Sequence, residues 1–171
     1  MFVKYIKEIS LKKILKSNLQ NVKPTTLQDT IKTVGLLVNE SYFENKDQLV
    51  SELVNLGIQK NNIELLVFNN SAKNSDASQN TFSNKDVSWK GHFEPQFVND
   101  FINKPFDMLV SYYDVETAPL LLLTNQSKAL FKVGLSTVDK RLNHLMINTN
   151  AENYQVFTHE LFRYLKILNK I

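Results

Sequence analysis

Thr33-Val34-Gly35-Leu36-Leu37-Val38 and Ile63-Glu64-Leu65-Leu66-Val67-Phe68 bracket a segment in which Leu49, Val50, Leu53, Val54 and Leu56 recur at helical spacing and stop at Gly57. A short apolar run bounded by polar residues suits a strand covered on both faces, whereas the intervening spacing suits an amphipathic helix with a glycine at its carboxyl cap. Residues 33–68 therefore read as one strand–helix–strand unit, which is right-handed and parallel in nearly all proteins. Such a unit seeds an open α/β sheet.

The pattern continues downstream. Residues 69–86 are rich in Asn, Ser and Lys and poor in apolar side chains, which predicts a long loop. Residues 87–90, with Trp89, suit a short edge strand, and Glu94-Pro95 opens a helix to about Asn103. Residues 106–112 read as a central strand, 115–125 as a helix, 129–135 as a strand and 145–148 as a short last strand. A closing helix follows over 151–169, capped by Asn150, with Tyr154, Phe157, Leu161, Leu165 and Leu168 on its inner face. The alternation predicts a Rossmann-like or flavodoxin-like three-layer sandwich with a mostly parallel sheet.

Composition bounds the setting. The 171 residues suit a single α/β domain over 25–171 behind a helical leader over 1–24, and 43% hydrophobic with 22% charged residues is ordinary globular usage. The absence of cysteine excludes disulfides, thiolate metal sites and a cysteine nucleophile, and suits a reducing compartment. Lysines interrupt the leader as they would not a signal peptide, and no stretch reaches the roughly 18 consecutive apolar residues of a membrane span. The expectation is a cytoplasmic protein.

The net charge of +3 is unevenly spread: Lys4, Lys7, Lys12, Lys13, Lys16 and Lys23 against Glu8 put +5 on residues 1–24, leaving −2 on the remainder. A basic arm suits an anionic surface, whether a protein or ribonucleoprotein partner or a membrane, while a solvated helix face explains the same lysines without a ligand. Projected on a helix, the leader has two apolar faces. Phe2, Val3, Tyr5, Ile6 and Ile9 lie on one, and Leu11, Ile14, Leu15, Leu19 and Val22 lie nearly opposite. Either the helix breaks near Ser10, or its first turns contact something other than the domain.

In an open parallel sheet ligands bind beyond the carboxyl ends of the strands. That rule selects Asn39-Glu40-Ser41, residues 111–116, residues 136–141 and Asn148-Thr149-Asn150. Within them Glu40, Ser111, Asp114, Asp139, Lys140 and Arg141 are the candidate ligand-binding residues, with Lys4, Lys7, Lys12, Lys13 and Lys16 as candidate contacts to an anionic surface. Asp114 and Glu116 at a helix start are as readily explained by the helix dipole, and Lys140 with Arg141 could hold a phosphate or carboxylate. The four glycines form neither a dinucleotide nor a P-loop signature, no second histidine accompanies His159 at zinc spacing, and no nucleophile elbow occurs. No cofactor or metal is implied.

Residues 81–86, 106–114, Phe131-Lys132-Val133-Gly134 and Asp139-Lys140-Arg141-Leu142-Asn143 resemble short proteins of Bacteroidetes bacteria grouped as a domain of unknown function, DUF6913. The resemblance spans nearly the whole chain and implies an organismal group and a cytoplasmic setting, with no catalytic residues to carry over. Residues 119–134 also resemble one Rossmann half of heptosyltransferase-type glycosyltransferases, which implies a donor-binding half that this chain has no room for. Three functions follow: a non-catalytic binding or adaptor protein, a small-molecule enzyme using the strand-end residues, and a peripheral membrane protein held by its leader.

Overall fold

A computed structural model describes residues 2–25, 30–70 and 80–171. In chain order the elements are α1 (Phe2–Asn18), β1 (Val34–Asn39), α2 (Lys46–Asn55), β2 (Ile63–Phe68), β3 (Thr81–Phe82), α3 (Gln96–Asn103), β4 (Met108–Tyr112), α4 (Ala118–Gln126), β5 (Phe131–Leu135), β6 (Leu145–Ile147) and α5 (Tyr154–Ile167). The strands form one sheet in the order β3-β2-β1-β4-β5-β6, and every neighbouring pair is parallel. The chain starts mid-sheet, runs outward through β2 and β3, and returns to lay β4 beside β1. This is the Rossmann order rather than the flavodoxin one, and it puts the switch point between β1 and β4.

Helices cover both faces, which is why the central strands β1 and β4 are buried along their whole length. Leu36, Val38 and Val110 face α2 and α5 through Leu49, Leu53, Phe157 and Leu161. Leu37, Leu66, Phe68 and Leu109 belong to the opposite layer with Leu11, Leu15, Phe101 and Leu123 of α1, α3 and α4. α2 stops where expected, because Gly57 takes φ 112°, a conformation that other residues adopt with strain.

Three expectations are corrected. The edge strand is Thr81–Phe82, not 87–90; its two residues hold because Phe82 is buried against Phe68 and Phe93, at ring separations of 5.3 and 5.8 Å. Residues 87–90 enter a turn instead, closed by an antiparallel bridge from Val87 to Phe93 with Gly91 at φ 79° and Trp89 near its tip. α4 begins at Ala118, so Asp114 and Glu116 lie in the preceding loop rather than in its first turn. α5 starts at Tyr154, and Asn150 instead accepts the Asn153 N–H in the turn before it. Of the long loop, residues 71–79 lie outside the described residues.

α1 runs unbroken through Ser10, whose hydroxyl donates to the Trp89 carbonyl. Its later apolar face is the one that docks: Leu11 and Leu15 are buried, with Ile14 and Leu19 packed beside them. The tail beyond it is pinned by Val22 N–H donating to Arg141 O at 2.9 Å.

Candidate functional site

The strand-end residues come together as struts. Glu40, just past β1, pairs with Lys46 and accepts a hydrogen bond from Asn69 at 3.0 Å. Lys46 holds that carboxylate below its ordinary pKa, outweighing burial. Ser111, buried in β4, shares a hydroxyl contact with Thr124 of α4 at 3.2 Å, and Tyr113 reaches the same hydroxyl at 2.9 Å. Asp114 accepts the Ala151 N–H at 3.1 Å, while the Tyr112 hydroxyl donates to the Ala151 carbonyl, so the end of β4 is tied to the loop before α5. Glu116 accepts the Asp139 N–H at 2.8 Å.

Asp139 and Arg141 satisfy each other. The guanidinium donates to both carboxylate oxygens, the shortest bond being 2.6 Å, and Arg141 N–H caps the same group. The pairing holds Asp139 below the usual carboxylate range and raises Arg141. Lys140 beside them is exposed. A groove of about 270 Å³ brings Asp139, Arg141 and Glu116 against Lys12, Lys16, Leu15 and Leu19 of the leader. Two of the predicted ligand residues thus meet two of the predicted leader lysines, but the charges of Asp139 and Arg141 are already spent on one another.

The leader lysines divide by position. Lys7 donates to the Asn84 carbonyl at 2.8 Å, and Lys12 pairs with Glu8 at 2.8 Å. Lys4, Lys13 and Lys16 are exposed. The earlier apolar face of α1 stands in solvent beside them: Phe2 is 76% exposed, Tyr5 64% and Ile9 49%, with Val3 and Ile6 also open. Scattered apolar residues are normal on a surface, but five within two turns form a patch. Trp89, also exposed, lies where Ser10 meets its carbonyl.

A larger cavity, of about 400 Å³, opens at the amino ends of β5 and β6, away from the switch point. One wall is the leader tail over residues 18–25, and the other carries Asn125, Ser127, Lys132 and His144. Lys132 lies within an apolar strand and is only 7% exposed. Its amine donates to the carbonyls of Thr124 at 2.7 Å and Asn125 at 3.3 Å, in the last turn of α4. Burial, reinforced by nearby Lys128, lowers its pKa from 10.5 to about 8. His144 accepts the Lys132 backbone N–H on Nδ1 at 2.9 Å, so its Nε2–H donates to the Lys23 carbonyl at 2.9 Å. The ring is neutral in that arrangement, and burial lowers its pKa.

Lys132 escapes the strand-end rule because it belongs to the opposite end of the sheet. Its sequence signal is a lone cation inside the buried run Phe131-Lys132-Val133-Gly134. Among the described residues no group of three His, Asp or Glu is placed to hold a metal ion, and no helix is long and apolar enough to cross a membrane. Neither the curated proteins nor the solved structures contain a match to this chain. The family of unknown function DUF6913 does match it, over residues 7–168, and the chain belongs to that family.

Proposed function

We propose that this is a non-catalytic binding protein that docks through the outward face of α1 into an apolar, carboxylate-rimmed groove of a protein partner. The observation that carries the reading is the division of α1 into a docked half and a presented half. Phe2, Tyr5, Ile6 and Ile9 fall at i, i+3, i+4 and i+7, the spacing by which a helix seats its anchors in a groove. Lys13 and Lys16 continue along the exposed surface of the same helix, positioned for carboxylates on the groove's rim. Burying each apolar anchor is worth about 1.5–3 kcal/mol. Because Leu11 and Leu15 already hold the helix on the domain, little ordering entropy opposes its docking. Glu40, Ser111 and Asp114 are engaged by Lys46, Thr124 and the Ala151 N–H, and Asp139 by Arg141, which favours binding over catalysis. The cysteine-free composition and the DUF6913 resemblance support a cytoplasmic setting in a Bacteroidetes bacterium.

The test compares wild type with a Tyr5→Asp/Ile9→Asp variant, whose changes lie in solvent and leave thermal unfolding unchanged. A protein captured by wild type, bound directly when purified and lost with the variant, supports the reading when its affinity also weakens with salt. Equal binding by the variant overturns it. Binding of wild type to anionic phosphatidylglycerol vesicles but to no protein overturns it in favour of a membrane surface.

A further inference from the structure

The cavity at the amino ends of β5 and β6 holds a buried cation with no counter-ion among the described residues. A charged amine has three N–H donors, and Lys132 meets two carbonyls, one of them at 3.3 Å. No carboxylate pairs with it among the described residues. Taking an ammonium out of water is costly unless it is paired, and long lysine side chains ordinarily extend to reach solvent. The last carbonyls of α4 supply part of the compensation, as at other helix carboxyl ends, but they carry only partial charge.

The cavity wall is complementary to what is missing. Lys23 lines it together with the polar residues Asn18, Asn21, Asn125 and Ser127, and no described lining residue is acidic. We propose that this cavity is a binding site for a small oxyanion, a carboxylate or a phosphate, that takes the remaining N–H of Lys132 and is flanked by Lys23. The bond from His144 to the Lys23 carbonyl holds the leader tail as one wall of the site. With its proton lost only near pH 8, Lys132 is charged at neutral pH, the state an oxyanion selects. The site is independent of the outward face of α1, so either proposal can fail alone.

The probes are inorganic phosphate and succinate, each added to the full chain at matched ionic strength, with chloride as the control and backbone amide NMR shifts as the readout. Saturable shifts confined to residues 18–25, 125–132 and 144, absent with chloride, are expected. Phosphate binding without succinate binding, or the reverse, identifies the oxyanion class. Lys132→Met retains the apolar stem and should weaken affinity about tenfold or more, the loss of one charge-assisted hydrogen bond. Lys23→Gln, at an exposed position, should weaken it severalfold and decides the matter if Lys132→Met fails to fold. Absence of saturable shifts in wild type overturns the proposal, as does undiminished affinity in a folded Lys132→Met or in Lys23→Gln.

Discussion

Replacing Lys132 by methionine isolates the energetic consequence of placing an amine under α4. The pKa of Lys132 falls from 10.5 to about 8 on folding, and at 1.36 kcal/mol per pKa unit this difference corresponds to about 3 kcal/mol. The direction follows from proton binding. Below the folded value both states hold the proton, and the full penalty is present. Between the folded and unfolded values the unfolded chain holds more protons than the native one, so stability rises with pH. Above the unfolded value both are neutral and the penalty is gone. Relative to Lys132→Met, wild type should therefore gain up to about 3 kcal/mol as pH is raised through that window, reduced by whatever the Thr124 and Asn125 carbonyls return to the charged form. Urea unfolding of both proteins at a series of pH values in phosphate-free buffer measures the difference, and titrations common to both cancel. A difference that stays constant from neutral to strongly alkaline pH would refute the reasoning, and one that falls would mean that the amine is ion-paired. Added phosphate, if it binds as proposed, should move the rise to higher pH.

Three further outcomes follow from the packing. Leu15→Ala should cost about 2–5 kcal/mol, because Leu15 is buried beneath α1 and the space cannot fully collapse; trypsin should then cut after Lys13 and Lys16 sooner than in wild type. Gly35→Ala would bring a methyl group within 2.8 Å of the buried Phe106 ring and 3.0 Å of Phe101, an overpacking cost of about 1–3 kcal/mol that chemical denaturation would reveal. Burial would raise the Asp107 carboxyl, but hydrogen bonds from Thr33 N–H, Lys32 N–H and the Thr33 hydroxyl outweigh it and lower its pKa below 3.8. Its stabilisation is thus present above the unfolded value and lost as pH falls through the folded one. Asp107→Asn should be less stable than wild type by about 1 kcal/mol at neutral pH, with the gap closing in acid, as unfolding curves at both pH values would show.

The sequence by itself determined what depends on local periodicity. β2 forms over the predicted residues, α2 ends at its glycine, and Phe157, Leu161 and Leu165 face inward from α5, because alternation, helical spacing and a glycine cap act within a few residues of themselves. β3 was not legible, since two residues have no period and Thr81–Phe82 hold only through partners distant in the chain. The two faces of α1 were legible as faces, but their patterns are equivalent, and only the surface offered by α4 decided that Leu11 and Leu15 dock while Phe2 and Ile9 remain outside. Strand order likewise required the return of β4 to β1. The predicted strand-end residues lie at or just beyond the carboxyl ends of β1, β4 and β5, yet their pairings with Lys46, Ala151 and one another were invisible until loops far apart in sequence met. Lys132 shows the same limit most directly. Its position in an apolar strand could be read from the chain, whereas its burial under α4 beside the leader tail, and the cavity it lines there, exist only through long-range packing.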